Sequence, residues 1–146
     1  MYIIYNFLVL CVCCLFVLPY FLYRCICEAG FTTRMRQSLG GLRDEEIASV
    51  AQKDCIWIHA SVGEIVATSP LVKEIRKAYP DSPILVSAVT VGGYNMAKQI
   101  IQEADAIIYF PLDMPFVSES FVKRIQPRIF MPVETELWPN FLRAIR

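Results

Sequence analysis

The chain has 146 residues, 14 basic and 14 acidic, with a formal net charge of zero, so no overall basic surface argues for nucleic acid. Hydrophobic residues make up 55% of it, above the usual share for a soluble domain, and the length suits one modest domain rather than two. The apolar excess is local: residues 1–23 carry no charged side chain, and every charge lies from Arg24 onward.

Tyr2 to Tyr23 is a run of 22 residues, about 33 Å as a helix, which matches a hydrocarbon core of roughly 30 Å. Tyr2, Tyr5, Tyr20 and Tyr23 stand where the two interfaces would be. No Lys or Arg precedes the run and no small-residue cleavage site follows it, so residues 1–23 read as an uncleaved transmembrane anchor rather than a signal peptide. Arg24, Arg34, Arg36 and Arg43 follow, with Glu28 the one acid among them. Residues 24–50 therefore read as a basic juxtamembrane linker that places the remainder in the cytoplasm. Of six cysteines, Cys11, Cys13 and Cys14 lie inside the apolar run, Cys25 and Cys27 just past it, and Cys55 alone. With no paired C-x-x-C and His59 the single histidine, they read as apolar residues, not as a zinc site or a disulfide framework.

From residue 51 the pattern becomes regular. Strands are expected over 56–60, 84–89, 106–110 and 128–133, each an apolar run. Between and after them come four helical stretches; the first sets Ile65, Val66, Leu71, Val72 and Ile75 against Lys73, Glu74, Arg76 and Lys77. Apolar strands alternating with helices are the mark of an α/β parallel sheet covered on both faces and joined by right-handed crossovers. Phe141 to Arg146 stops inside an amphipathic helix without a cap, which reads as a truncated domain.

Ligands of an open α/β sheet bind beyond the carboxyl ends of its strands. Four segments fall there: Ser61–Glu64, Thr90–Gly93, Pro111–Asp113 and Glu134–Asn140. Gly63 lets a ligand approach the backbone, and an ionised Glu64 in the first turn of a helix suits a general base for a sugar hydroxyl. The competing reading is that Ser61 and Glu64 form a capping box, S-x-x-E, that needs no substrate. Glu134 and Glu136 bring two more acids to the rim; both are also ordinary partners of a helix start, although Glu134 directly follows a run expected to be buried. Thr90-Val-Gly-Gly93 is a small turn into a helix, neither a dinucleotide fingerprint nor a P-loop. His59 reads as a core or rim residue, and no D-x-D motif asks for a divalent metal.

His59-Ala-Ser-Val-Gly-Glu64 together with Glu134-Thr-Glu-Leu-Trp-Pro-Asn140 resembles the Kdo transferases, which add 3-deoxy-D-manno-octulosonic acid to a lipid A precursor. Tyr79-Pro80, the turn from Thr90 to Tyr94, Tyr109 to Pro115, Pro127 and the Arg34-Met-Arg36 to Gly40-Gly41 stretch extend the resemblance along the chain. It implies that residues 51–146 are the truncated, Rossmann-like N-terminal domain of a GT-B glycosyltransferase at the bacterial inner membrane. By the same resemblance Glu64 is the general base and Glu134 supports the transition state. Ser61, Gly63, Thr90, Gly93, Glu136, Trp138 and Asn140 are then the substrate-binding residues. The donor implied is CMP-Kdo, the acceptor lipid IVA, and no cofactor or metal is expected. Gly92 and Pro132 depart from the family, which usually has a polar residue at the first position and an aliphatic one at the second. The donor site belongs mainly to a C-terminal domain that this sequence does not contain. The alternative is a truncated, non-catalytic membrane-tethered α/β module.

Overall fold

The computed structural model describes residues 18–133 and 138–146. These fall into two compact units divided between Thr33 and Arg34. In the first, helix α1 (Leu18–Cys27) carries Arg24, which pairs with Glu28 one turn on and lies 5.1 Å from the Phe31 ring. Residues 1–17, most of the expected anchor, lie outside the described residues. Among the described residues no helix is long and apolar enough to cross a membrane.

Helix α2 (Phe31–Ser38) crosses the boundary and ends on a glycine pair. Gly40 takes φ +100°, its N–H donates to Gln37 O at 2.9 Å, and the Gly41 N–H donates to Arg36 O at 2.8 Å. That pair of bonds is a Schellman ending, which a left-handed residue makes possible. A side chain at 41 would sit 2.8 Å from the same carbonyl, so neither glycine is replaceable. A short helix α3 (Asp44–Ile47) follows, and Leu42, Ile47 and Val50 enter the core. Of the stretch 24–50 that reads as a linker, the residues from Arg34 onward thus belong to the compact unit that holds the sheet.

That sheet comprises β1 (Ile56–Ala60), β2 (Ile84–Ala88), β3 (Ala106–Tyr109) and β4 (Ile129–Pro132), all parallel, in the order β3-β2-β1-β4. Helices α4 (Ile65–Ala78) and α5 (Val91–Ile100) cover one face, where Ile56, Ile58, Ala60, Ile84, Val86 and Ala88 meet Ile65, Val72 and Ala97. Helices α6 (Pro115–Ile125) and α7 (Pro139–Ala144) join α3 on the other, against Trp57, Leu85 and Ile108. Both sides of β1 and β2 are buried, which is why their sequences read as unbroken apolar runs rather than alternating ones.

Trp57 organises the second face. Its indole packs edge-on against Phe141 at 5.1 Å and Phe130 at 5.7 Å, and its N–H donates to the Ser87 hydroxyl at 2.8 Å. That hydroxyl lies 3.1 Å from His59 Nδ1, and the imidazole stacks on Phe110 at 3.9 Å. His59 is a core residue in this arrangement, 1% exposed. Cys55 is likewise fully buried, and burial pushes its thiol up to about 11, so it remains a neutral apolar group.

At β4 the ladder meets Pro132, which has no N–H to give. Pro132 stands opposite His59, and the next residue serves instead: the Val133 N–H donates to His59 O at 2.8 Å. The outer edge of β4 has no neighbouring strand among the described residues, and Ile129 there is 46% exposed.

Phe141 is fully buried in the Trp57 cluster while Phe116 stands 77% exposed on α6. Phe141→Ala should therefore lower the unfolding free energy by about 3–5 kcal/mol in a denaturant titration. Phe116→Ala should stay within about 0.5 kcal/mol.

Candidate functional site

The strand order places a topological switch point between β1 and β4. After β1 the chain passes to α4 on one face, and after β4 the next helix, α7, packs on the other; a switch point of this kind is where open α/β sheets hold their ligands. Two of the predicted segments leave from these strands: Ser61–Glu64 from β1, and the segment beginning at Glu134 directly after Val133 from β4. Glu134 and Glu136 themselves lie outside the described residues.

Glu64 occupies the residue before α4, at its N-cap, and its side chain makes no cap hydrogen bond. A capping box would need Ser61 at the N-cap with Glu64 three residues inside the helix. Instead the helix starts after Glu64, and the Ser61 hydroxyl donates to the Glu64 carboxylate. Glu64 is half-buried while Val62 and Gly63 beside it are exposed. A Cβ at Gly63 would meet nothing within 4 Å, and its φ is not left-handed, so protein packing does not require a glycine there. What it leaves is open backbone beside the carboxylate.

The second loop is built differently. The Thr90 hydroxyl accepts from the Gly93 N–H at 3.1 Å and so caps α5. Gly93 is tightly placed: a Cβ would lie 3.3 Å from Thr90 Oγ1 and 3.5 Å from Val62 Cα. Its small size lets the first two rim loops touch. Gly92, by contrast, faces open space.

The third and fourth segments are tied to each other. The Asp113 carboxylate accepts from the Phe141 N–H at 2.8 Å and the Asn140 N–H at 3.2 Å. The Asn140 amide donates back to Asp113 O at 2.8 Å. Trp138 is half-buried with its ring 5.8 Å from Phe110. Thr90, Trp138 and Asn140, expected as substrate contacts, therefore have packing or capping duties that bring the rim loops together. The role of Asp113 was missed in the sequence, where Pro111-Leu-Asp-Met-Pro115 shows no periodicity and nothing marks the distant amides it serves.

Helix α2 braces the same rim from the side of β2 and β3. Arg34 Nε donates to Val89 O at 2.7 Å, Gln37 Oε1 accepts from the Tyr109 N–H at 2.8 Å, and the Ser38 hydroxyl donates to Phe110 O at 2.9 Å. The Gln37 amide also donates to Glu46 at 2.9 Å, beside Arg36. Burial would push the Glu46 carboxyl up, but the Arg36 guanidinium, the Arg43 N–H and the Gln37 amide outweigh it and bring it down to about 2. Arg36 thus spends its charge inside the fold, Arg24 pairs with Glu28, and Arg43 lies 3.9 Å from Glu45. The basic collar is internally compensated at these positions, which reduces what it can offer a lipid headgroup.

Among the described residues no group of three or more His, Cys, Asp or Glu side chains could hold a metal. A separate apolar groove of about 360 Å³ runs beside the free edge of β4, lined by Ile56, Leu71, Ile75, Tyr79, Ile129 and Met131. Ile56 and Ile129 open their strands, so the groove sits towards the end of the sheet opposite the rim.

Two stability measurements test this construction. Thr90→Ala should cost about 0.5–2 kcal/mol, while Thr90→Ser, which keeps the cap, should cost much less. For Glu46 the folded-state value lies below the ordinary 4.5, so its contribution is complete above about pH 4.5 and is lost as pH falls towards 2. Chemical denaturation should show the gap between the protein and Glu46→Gln full at pH 7 and shrinking between pH 4.5 and 2.

The family described as 3-deoxy-D-manno-octulosonic-acid transferase (kdotransferase) matches residues 33–146. A 3-deoxy-D-manno-octulosonic acid transferase of Haemophilus influenzae is 36% identical over 99 residues, 67% of this chain and 23% of that protein. A bifunctional glycosyltransferase/methyltransferase of Fusobacterium nucleatum is 34% identical over 115 residues, 77% of this chain and 17% of the relative. A 3-deoxy-D-manno-octulosonic acid transferase of Rickettsia felis is 31% identical over 113 residues, 76% and 24% of the two. The chain thus matches about a quarter or less of the length of each of these relatives.

Proposed function

This chain belongs to the Kdo transferase family, and from that premise we propose that its sheet supplies the acceptor side of a glycosyl transfer from CMP-Kdo to a lipid A precursor, lipid IVA. The observation that carries the reading is the placement of Glu64: beside the switch point, oriented by Ser61, next to an unforced glycine, and not engaged in capping its own helix.

In the proposed reaction Glu64 takes the proton from a glucosamine hydroxyl of the acceptor. The freed oxygen attacks the anomeric carbon of Kdo as the bond from that carbon to the phosphate oxygen breaks, and CMP leaves with the electron pair. The displacement is direct and inverts the centre, without a covalent enzyme intermediate. A positioned carboxylate contributes about 10²–10⁴-fold to such a step. Glu134, which follows Val133, is assigned a supporting role at the transition state. The donor is held mainly by a second domain of the kind expected in a GT-B enzyme, so the segment alone is expected to be inactive. The apolar run at 1–23 anchors the protein in the bacterial inner membrane, with the sheet on the cytoplasmic side where the acceptor lies.

Activity is best assayed in a chimera in which residues 34–146 replace the matching segment of the Haemophilus influenzae relative. Transfer of Kdo from CMP-Kdo to lipid IVA should fall about 10²–10⁴-fold in Glu64→Ala with expression and folding unchanged. Undiminished transfer in that variant would remove the base assignment. Glu134→Gln should depress turnover more than acceptor binding, and an unaltered rate would take away its role.

A further inference from the structure

The turn that carries Glu64 is closed by its own bonds. The Glu64 N–H donates to Ser61 O at 3.3 Å, and the Ser61 hydroxyl donates to the Glu64 carboxylate. On the helix side the turn is pinned at Glu64 O, which accepts from the Thr68 N–H at 2.8 Å and from the hydroxyl of the buried Thr68 at 2.7 Å. These bonds fix the two ends of the turn and leave its middle, Val62 and Gly63, to be held from outside. Burial of the Val62 side chain does not supply that hold, because the residue is 43% exposed.

The Val62 backbone is met by α5. Strands β1 and β2 end on Ala60 and Ala88, which stand opposite each other and are both buried. At this end of the sheet a Cβ on Gly93 would lie 3.5 Å from Val62 Cα, 3.5 Å from the Ala88 side chain and 3.3 Å from Thr90 Oγ1. Carbon atoms pack best at about 3.5–4.0 Å, so one added carbon fills the gap and a larger group must move a neighbour. Ala88 is fixed by the sheet, and Thr90 by the cap bond it accepts from the Gly93 N–H at 3.1 Å. The exposed turn at Val62 is the neighbour that can yield. Gly93 has no left-handed φ and lies inside a helix, where glycine costs about 1 kcal/mol relative to alanine. Space rather than conformation explains a glycine there.

We infer that Gly93 is a positioning residue for the Glu64 carboxylate. By keeping the first turn of α5 free of a side chain it sets where Val62 stands, and through the closed Ser61–Glu64 turn it sets where the carboxylate points. The role rests on the reading of Glu64 as the base, and it replaces the substrate contact that the resemblance implies for Gly93 with a contact inside the protein.

The test is carbon-13 NMR of the 146-residue chain in detergent micelles, with the Glu64 carboxyl resonance identified by its loss in Glu64→Gln. Gly93→Val should move that resonance together with the amide resonances of 61–64, and leave the β3 amides in place. Gly93→Ala adds only the carbon that the gap accepts; it should move the resonance less, and it serves as the test if the valine variant does not fold. Gly92→Val is the control: its side chain would start in open space, and the Glu64 resonance should stay where it is. Because the route runs through Ser61, adding Gly93→Val to Ser61→Ala should move the resonance less than Gly93→Val does alone. Titration with lipid IVA should shift the Glu64 resonance in the parent, and that shift should be lost in Gly93→Val and kept in Gly92→Val. The role is overturned if neither Gly93 variant moves the Glu64 resonance, or if Gly92→Val moves it equally. It is overturned too if the effects of Ser61→Ala and Gly93→Val simply add, or if lipid IVA produces the full shift in Gly93→Val. A parent chain whose Glu64 resonance ignores lipid IVA overturns the acceptor-side reading instead, while the comparison of the Gly93 and Gly92 variants still decides whether Gly93 places the carboxylate.

Discussion

The structure depends on β1 being paired on both sides, with β2 along one edge and β4 along the other. A parallel strand in that position sends its own loop and those of its neighbours to one end of the sheet. The change of direction between β1 and β4 then sends the helices that follow them to opposite faces. A chain that paired β4 elsewhere would still bury its apolar runs, but it would leave Glu64 on an ordinary helix start with no switch point beside it. Trp57 makes the pairing specific: its ring needs Phe130 from β4 and Phe141 from α7 on one side, and its N–H needs Ser87 from β2. Each partner comes from a different element, so the indole is satisfied when β2, β4 and α7 are all in place.

The chemistry assigned to Glu64 rests on its carboxylate making no cap bond to the helix behind it, while its carbonyl takes the first bonds of that helix from Thr68. A glutamate three positions after a serine would ordinarily close a capping box, and the local sequence alone does not separate that role from a catalytic one. The helix start decides. With the first helical residue at Ile65, the carboxylate makes no cap bond to the helix and accepts from the Ser61 hydroxyl. Gly63 and Gly93 differ in their surroundings: one stands beside open space, and the small size of the other lets two loops of the protein meet.

Much of the fold was legible because burial on both faces writes itself as apolar runs. The four expected strands over 56–60, 84–89, 106–110 and 128–133 agree with the observed ones to within a residue at each end. Val89 falls outside β2, and Arg34 takes its carbonyl; β4 stops at Pro132 because proline cannot continue the ladder and Val133 takes over its bond. Strand order was not legible, since nothing in an apolar run says which neighbour it chooses. The part of the 24–50 stretch from Arg34 onward reads as linker because its contribution to the sheet domain is made by single side chains, Arg34, Gln37 and Ser38, each satisfying a backbone group 55 or 72 residues away. Such contacts leave no periodic trace. For the site, the motifs pointed to Glu64 and its loop, whereas Thr90, Trp138 and Asn140 could not be recognised as builders of the rim without the distances that join them to Gly93, Phe110 and Asp113.

On the proposed function, the acceptor meets this chain at the carboxyl ends of the strands, beside Glu64. The direct measurement is photo-crosslinking of a diazirine-bearing lipid IVA analogue to the membrane-reconstituted chain, with labelled residues mapped by mass spectrometry. Labels should collect on 61–64, 90–94 and 138–140. Labels concentrated instead on Leu71, Ile75, Tyr79 and Ile129, in the apolar groove towards the opposite end of the sheet, would contradict it.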